Sequence, residues 1–178
     1  MIRAALLALA LAGPAAAQVP EPDGYRMGDY RAPVPDTLSG ARVITPAEAH
    51  AIWSGGTALF VDVLPRPPRP RGLPEGTIFR QPPRRSIPGA VWFPNAGYGD
   101  LAPVNDAWFR DGLAAETGGD LDRPLVVFCL MDCWMSWNAA RRAMTYGYRN
   151  VLWLPEGTDG WAFEGYPLEP VDPRPGGR

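Results

Sequence analysis

The sequence predicts an α/β domain in which helices flank a mainly parallel central sheet. Short apolar runs at 58–64, 125–128 and 151–154 are typical of strands that are buried on both faces. Segments with helical character alternate with these runs, as they do in parallel sheets. The chain of 178 residues is long enough to form one domain with a sizeable core.

The first predicted helix has a clear beginning and end. Thr45 is a candidate N-cap, Pro46 stands at the first helical position, and Glu48 follows three residues after the cap. Gly55 and Gly56 end the helix. The strand 58–64 follows, and it carries a single acid, Asp62, within an apolar run. A loop rich in proline and arginine occupies 65–76.

The later elements are predicted in the same way from apolar runs, turn residues and helix ends. They are a turn and short strand at 87–94, helices at 108–116 and 135–146, a strand at 151–154, and a turn with a short helix at 157–163. Ligands of parallel sheets bind beyond the carboxyl ends of the strands. That edge is predicted to hold Asp62 and Cys129, so we expect the site there.

The two ends of the chain differ in composition from the domain. Residues 1–17 have a short basic start, an apolar stretch and an Ala-rich end, which predicts a cleaved signal peptide and export to the periplasm. An irregular, proline-rich arm is expected at 18–40, the domain at 41–170, and a flexible tail at 171–178. No later segment resembles a membrane span, so no membrane association is expected after cleavage. The net charge of −2 argues against a nucleic-acid partner.

Cys129 and Cys133 are the only cysteines, and they stand between a buried strand and a helix. A helix N-terminus and loop amides stabilise a thiolate, so Cys129 is a candidate nucleophile that could carry a persulfide. The two cysteines could instead form a redox-active disulfide, with Cys133 as the resolving cysteine. A static disulfide is the third interpretation, although closing so small a ring adds little stability.

Four segments in order resemble the rhodanese-like domain family. They are the strand Phe60-Val61-Asp62-Val63, the turn Ser86-Ile87-Pro88-Gly89-Ala90-Val91, the strand Leu125-Val126-Val127-Phe128-Cys129, and the tail from Ala139 through Gly147-Tyr148-Arg149-Asn150-Val151 to Trp161. The motif Cys129-Leu130-Met131-Asp132-Cys133-Trp134 resembles a narrower group of exported proteins with a Cys-x-x-x-Cys-Trp motif, which is associated with PQQ-dependent alcohol catabolism.

The resemblance implies a sulfurtransferase of the thiosulfate sulfurtransferase type or a thiol–disulfide oxidoreductase. Cys129, Cys133 and Asp62 would be the catalytic residues. Asp62 would organise the loops or, as the alternative, act as a base, with Arg85 or Ser86 as its hydrogen-bond partner. The implied anion cradle consists of Leu130, Met131, Asp132, Trp134, Met135 and Ser136, in which Ser136 would also cap the helix. The implied partners are a small sulfur donor or a periplasmic redox protein, within a quinoprotein dehydrogenase system.

The chain also departs from active sulfurtransferases. Leu64-Pro65 replaces the arginine that commonly follows the family's Asp-Val, and Asp132 places an acid in the loop, which weakens anion binding. Arg66 and Arg85 could restore positive charge as substrate-binding residues. The alternative function is therefore a catalytically inactive binding module for a redox cofactor, a metal or a partner protein.

No cofactor is firmly predicted. Zinc requires about four protein ligands, whereas the chain offers two cysteines and one histidine, His50, which we expect at the surface. Copper bound by both cysteines with Met131 or Met135, and a redox cofactor, are the alternatives. Trp134 could pack over the thiols or stack on a ligand ring.

Overall fold

The structure, a computed structural model, describes residues 18–177 and contains a five-stranded parallel sheet between two helical layers. The strands are β1 (Arg42–Val43), β2 (Leu59–Asp62), β4 (Val91–Trp92), β5 (Leu125–Phe128) and β6 (Val151–Leu154), arranged in the order β1-β6-β5-β2-β4. This arrangement confirms the predicted fold class. The predicted signal peptide lies outside the described residues. Among the residues described, no helix is long and apolar enough to cross a membrane.

The three central strands are the apolar runs of the sequence analysis, although β2 is shorter at both ends than the predicted run. All residues of β2, β5 and β6 are buried, as their nearly continuous hydrophobicity requires. Asp62 pairs in register with Phe128, which pairs with Leu154. The strands therefore end at one level, and Asp62 lies at the same sheet edge as Cys129.

In the described part of the chain, four helices cover the two faces of the sheet. They are α1 (Pro46–Gly55), α2 (Pro103–Thr117), α3 (Trp134–Thr145) and α4 (Gly157–Phe163). Helices α2 and α3 pack on one apolar core, while α1 and α4 pack on the other. The predicted cap of α1 is confirmed, because the Thr45 hydroxyl accepts from the Glu48 amide and the Glu48 carboxylate accepts from the Thr45 amide.

Three features of the fold differ from the sequence-based prediction, and the first is the short edge strand β1, which no predicted element covers. Helix α2 begins five residues earlier than predicted, at Pro103, where proline suits the first helical turn. A second, antiparallel sheet joins β3 (Arg84–Ser86) to β7 (Glu169–Val171), and the apolar patterns did not indicate either strand. This small sheet brings Arg84 and Ser86 to the edge of the main sheet.

Candidate functional site: a covered disulfide at the sheet edge

Cys129 and Cys133 form a disulfide at the carboxyl end of the central strand β5. Cys129 follows β5 directly and Cys133 is the N-cap residue of α3, with 6.2 Å between their Cα atoms. Asp132 brings the chain back toward Cys129 with a φ of 51°, a left-handed conformation that aspartate tolerates better than most side chains. The disulfide is enclosed, since Cys129 is 0% exposed and Cys133 is 1% exposed.

The N-terminal arm covers this disulfide. Arg31 forms a β-bridge with Cys133, and the Tyr30 carbonyl accepts from the Trp134 amide at 2.9 Å. The Trp134 indole N–H donates to the Pro33 carbonyl at 3.1 Å. Trp134 is buried and therefore packs between the arm and the domain, which is the packing role expected of it.

Further bonds hold the arm along α3. The Asn138 side chain donates to the Arg26 carbonyl and accepts from the Arg26 amide, both at 2.9 Å. The Trp137 indole N–H donates to the Thr37 carbonyl at 3.2 Å. These contacts place the arm as a cover over the cysteines, and its irregular sequence contains no pattern that would have indicated it.

Three of the six amides of the implied anion cradle, those of Met131, Trp134 and Ser136, are occupied by the protein itself. The Met131 amide donates to the Asp159 carboxylate at 3.0 Å, and the Ser136 amide donates to the Cys133 carbonyl at 3.2 Å. Leu130 lines a neighbouring cavity, Met131 and Asp132 are exposed, and Met135 is buried. In this conformation the amides of Met131, Trp134 and Ser136 point to oxygens of the chain.

Ser136 is not the helix cap that we expected. Helix α3 begins at Trp134, with Cys133 as the N-cap, and no side chain caps it. The Ser136 hydroxyl donates to the Cys133 carbonyl at 2.9 Å and accepts from the Trp153 indole at 3.0 Å. Ser136 therefore ties the cysteine end of α3 to the sheet.

Asp62 is fully buried at the sheet edge where β5 leads into Cys129, and it is bonded by three donors. Its carboxylate accepts from the Arg84 guanidinium at 2.7 Å, the Ser86 hydroxyl at 2.6 Å and the Leu64 amide at 2.9 Å. Burial raises the pKa of the Asp62 carboxyl, and the Arg84 charge opposes that rise. Ser86 is a partner as predicted, but Arg84 takes the place predicted for Arg85, which donates instead to the Leu168 carbonyl.

A second set of contacts holds the Cys129 carbonyl. The Thr158 amide donates to it at 3.0 Å and the Thr158 hydroxyl at 3.3 Å. The Arg84 guanidinium lies 3.5 Å from the same oxygen and 3.2 Å from the Thr158 hydroxyl. Gly157 has a φ of 53°, and a Cβ there would overlap the Cys129 carbonyl. The network that starts at Asp62 thus reaches the backbone of Cys129.

A cavity of about 610 Å³ lies at the same edge, beside the cysteine loop. Both arginines predicted to bind substrate, Arg66 and Arg85, line it, and so does Leu130. The Arg66 guanidinium lies over the Trp92 ring, 5.8 Å from its centre. The cysteines are not among the lining residues.

His50 does not join the cysteines. It stacks on Tyr166 with ring centres 4.0 Å apart and lies near Trp53 and Trp161, on the far side of the sheet from the disulfide. Residues 18–177 contain no group of three or more histidine, cysteine, aspartate or glutamate side chains arranged to hold a metal ion.

Comparisons with known proteins give remote structural similarities. No protein-family model matches the chain, and no curated protein matches it. A crystal structure of thiosulfate sulfurtransferase from Pseudomonas aeruginosa aligns with a TM-score of 0.47 and 21% identity over 75% of this chain. The chain spans only 21% of the length of that protein.

Two smaller proteins align over most of their own length. A polysulfide-sulfur transferase homodimer from Wolinella succinogenes has a TM-score of 0.46 and 18% identity, over 74% of this chain and 80% of that one. A human single-domain sulfurtransferase has a TM-score of 0.41 and 22% identity, over 70% of this chain and 97% of that one.

Proposed function

We propose that this protein is a rhodanese-like thiol–disulfide oxidoreductase that works through Cys129 and Cys133. The observation that carries the proposal is the disulfide that joins the end of β5 to the N-cap position of α3. A helix N-terminus stabilises a thiolate, and a stabilised thiolate is a good leaving group in disulfide exchange. A ring closed over so few residues adds little stability, which favours a chemical role for the bond.

The proposed exchange takes place in two steps. A thiolate of a partner dithiol attacks the Cys129 sulfur, the Cys129–Cys133 bond breaks, and Cys133 leaves as a thiolate at the N-terminus of α3. The second thiol of the partner, deprotonated, then attacks its own sulfur in the mixed disulfide and releases Cys129. The partner is oxidised to a disulfide, and this protein takes up two electrons and two protons. Cys129 thus carries the covalent intermediate, and Cys133 resolves it in the reverse direction.

The cover formed by the arm determines when this exchange can occur. Because both sulfur atoms are enclosed, an attacking thiolate reaches Cys129 only after the segment from Tyr30 to Pro33 has moved away. The β-bridge, to which the Trp134–Tyr30 bond belongs, and the indole bond to Pro33 hold that segment at the cysteine end of α3. We therefore expect reduction to be slow in the covered form and fast once the arm is displaced.

The test is to trap the intermediate. Cys133→Ser should accumulate a mixed disulfide on Cys129 when it is mixed with glutathione disulfide, whose leaving thiol diffuses away, and intact mass with peptide mapping would locate it. Cys129→Ser is the matched control. It should trap much less, because in the proposed exchange only Cys129 forms a bond to the partner, while Cys133 bonds only to Cys129. The proposal fails if neither variant forms a mixed disulfide and the wild-type disulfide resists reduction after the arm has been displaced.

Sulfur transfer is the second candidate chemistry for the same cysteine pair. In that case reduced Cys129 would attack a sulfane sulfur and hold it as a persulfide. The amides of Met131 and Ser136, which stay occupied when the arm moves, favour disulfide exchange, because they leave fewer donors for an anionic sulfur donor. Thiocyanate formed from thiosulfate and cyanide, with one added sulfur atom on Cys129, would favour transfer. If none of these reactions occurs, a non-catalytic binding module becomes the better interpretation.

We also propose export to the periplasm and a role as an accessory to PQQ-dependent alcohol oxidation. The apolar start of the sequence and the Cys-x-x-x-Cys-Trp motif support these proposals. Cell fractionation with intact mass would detect the shortened chain that follows cleavage after Ala17. Loss of growth on alcohols in a deletion strain, restored by the wild type but not by Cys129→Ser, would support the pathway role.

A further inference from the structure

The cavity beside the cysteine loop has the size and lining of a small-molecule site. Its volume of about 610 Å³ falls within the range of roughly 300–1,000 Å³ that ligand sites occupy. Prolines 65, 67, 68, 82 and 83 form much of the wall, together with the side chain of Trp92. Proline rings lose little freedom when a ligand packs against them, so this wall is rigid and apolar.

The cavity is separate from the sulfur chemistry. Leu130 lines it, but neither Cys129 nor Cys133 does, so a bound molecule contacts the loop and not the disulfide. The inference therefore goes beyond the proposed function and does not depend on it.

The charges around the cavity indicate the sign of the charge that its ligand carries. Arg84 is neutralised by Asp62, and Arg85 is engaged with the Leu168 carbonyl. Within residues 18–177, no carboxylate lies within 4.0 Å of the Arg66 guanidinium, which rests over the Trp92 ring instead. The lining acid, Asp159, accepts the Met131 amide and keeps its charge, as Arg85 does on a neutral carbonyl. With Arg84 paired to Asp62, the lining still carries Arg66, Arg85 and Asp159, so its net charge is positive. Arg66 is the lining arginine whose side chain forms no hydrogen bond within residues 18–177.

We propose that this cavity binds an amphipathic organic anion. Its carboxylate pairs with the Arg66 guanidinium, and its apolar body of about ten to fifteen non-hydrogen atoms packs on Trp92 and the proline wall. A guanidinium held on an aromatic face keeps its edge free for carboxylate oxygens. The stacking with Trp92 therefore orients the cation and leaves its N–H groups available to the ligand.

The test uses decanoate as the probe and the full, oxidised chain, with calorimetry and tryptophan fluorescence as independent readouts. Decanoate should bind, and decanol and decyltrimethylammonium should bind at least about tenfold more weakly, since charge-assisted bonds to arginine are lost. Arg66→Gln should weaken decanoate binding by about tenfold. Arg80→Gln, an exposed arginine that does not line the cavity, is the matched control and should leave binding unchanged.

A second variant tests the proposal independently in case Arg66→Gln affects folding. Ala162→Phe places a ring into the cavity from an exposed position of α4 and should abolish binding without altering thermal unfolding. The proposal is overturned if decanoate does not bind, if decanol binds equally well, or if binding survives both substitutions. Because every measurement leaves the disulfide intact, failure of the redox proposal would not change these outcomes.

Discussion

Replacing Arg84 by methionine tests whether the Asp62 network supports the site. The substitution removes the cation beside a carboxylate whose side chain is 0% exposed, while the Ser86 and Leu64 donors remain. Breaking a buried ion pair in this way costs about 3–5 kcal/mol. Asp62 can limit that cost by taking up a proton. At pH 7, protonating a carboxyl group of ordinary pKa costs about 4 kcal/mol.

Because protonation of Asp62 limits the cost, the stability lost in Arg84→Met depends on pH in a defined direction. In the variant the pKa of Asp62 in the folded state rises further above its unfolded value. The penalty is therefore absent at low pH and grows as the pH increases. At pH 5 protonation costs only about 1.5 kcal/mol. The lost Arg84 contacts to Thr158 and the Cys129 carbonyl add about 1 kcal/mol at either pH.

We therefore expect Arg84→Met to lower the free energy of unfolding by at most about 5 kcal/mol at pH 7 and at most about 2.5 kcal/mol at pH 5, because the raised pKa of Asp62 means that the wild type already bears part of this cost. Urea unfolding followed by tryptophan fluorescence, with the disulfide kept oxidised, measures both values. Arg80→Met, at an exposed arginine, is the control and should change stability by less than about 0.5 kcal/mol. A loss below about 1 kcal/mol at pH 7, or equal losses at the two pH values, would refute the reasoning.

Three further substitutions test other contacts of the site and the fold. Thr45→Ala removes the capping box of α1 and should cost about 1 kcal/mol in urea unfolding. Gly157→Ala forces a Cβ onto the Cys129 carbonyl at a positive φ and should cost at least about 2 kcal/mol, whereas Gly55→Ala, at an unhindered position, should be neutral or slightly stabilising. Trp134→Phe removes the indole donor to the arm and should speed reduction of the disulfide by dithiothreitol about fivefold, with unchanged kinetics arguing against the cover.

The predictable part of this protein rests on local signals. The Thr45 capping box marked the start of α1, and the apolar run ending at Cys129 marked β5, because both patterns act over a few neighbouring residues. Parallel strands end at one edge, so the proximity of Asp62 and Cys129 followed from the fold class alone.

The remaining features depend on contacts between distant residues. Strand β3 has only three residues and pairs with β7 more than 80 residues later in the chain, so no local pattern indicates it. Side chains alternate between the two faces of β3, and this alternation could have identified the partner of Asp62. Arg84 and Ser86 are two residues apart and share one face, so both reach Asp62, while Arg85 faces the other way. The arm gave no signal because its bonds are mostly made by backbone carbonyls, which every residue carries.

The long sequence separation between the arm and α3 has a consequence for the order of folding. The bonds from Arg26, Pro33 and Thr37 to α3 span 100–112 residues, whereas β5, the cysteine loop and α3 are contiguous. Closing a long loop is slower than forming local structure, so we expect the arm to dock last. The cysteines then meet the oxidants of the cell in a nearly complete but still open domain. Once docked, the arm slows further exchange, so the oxidation state reached during folding persists until the arm is displaced for the first time.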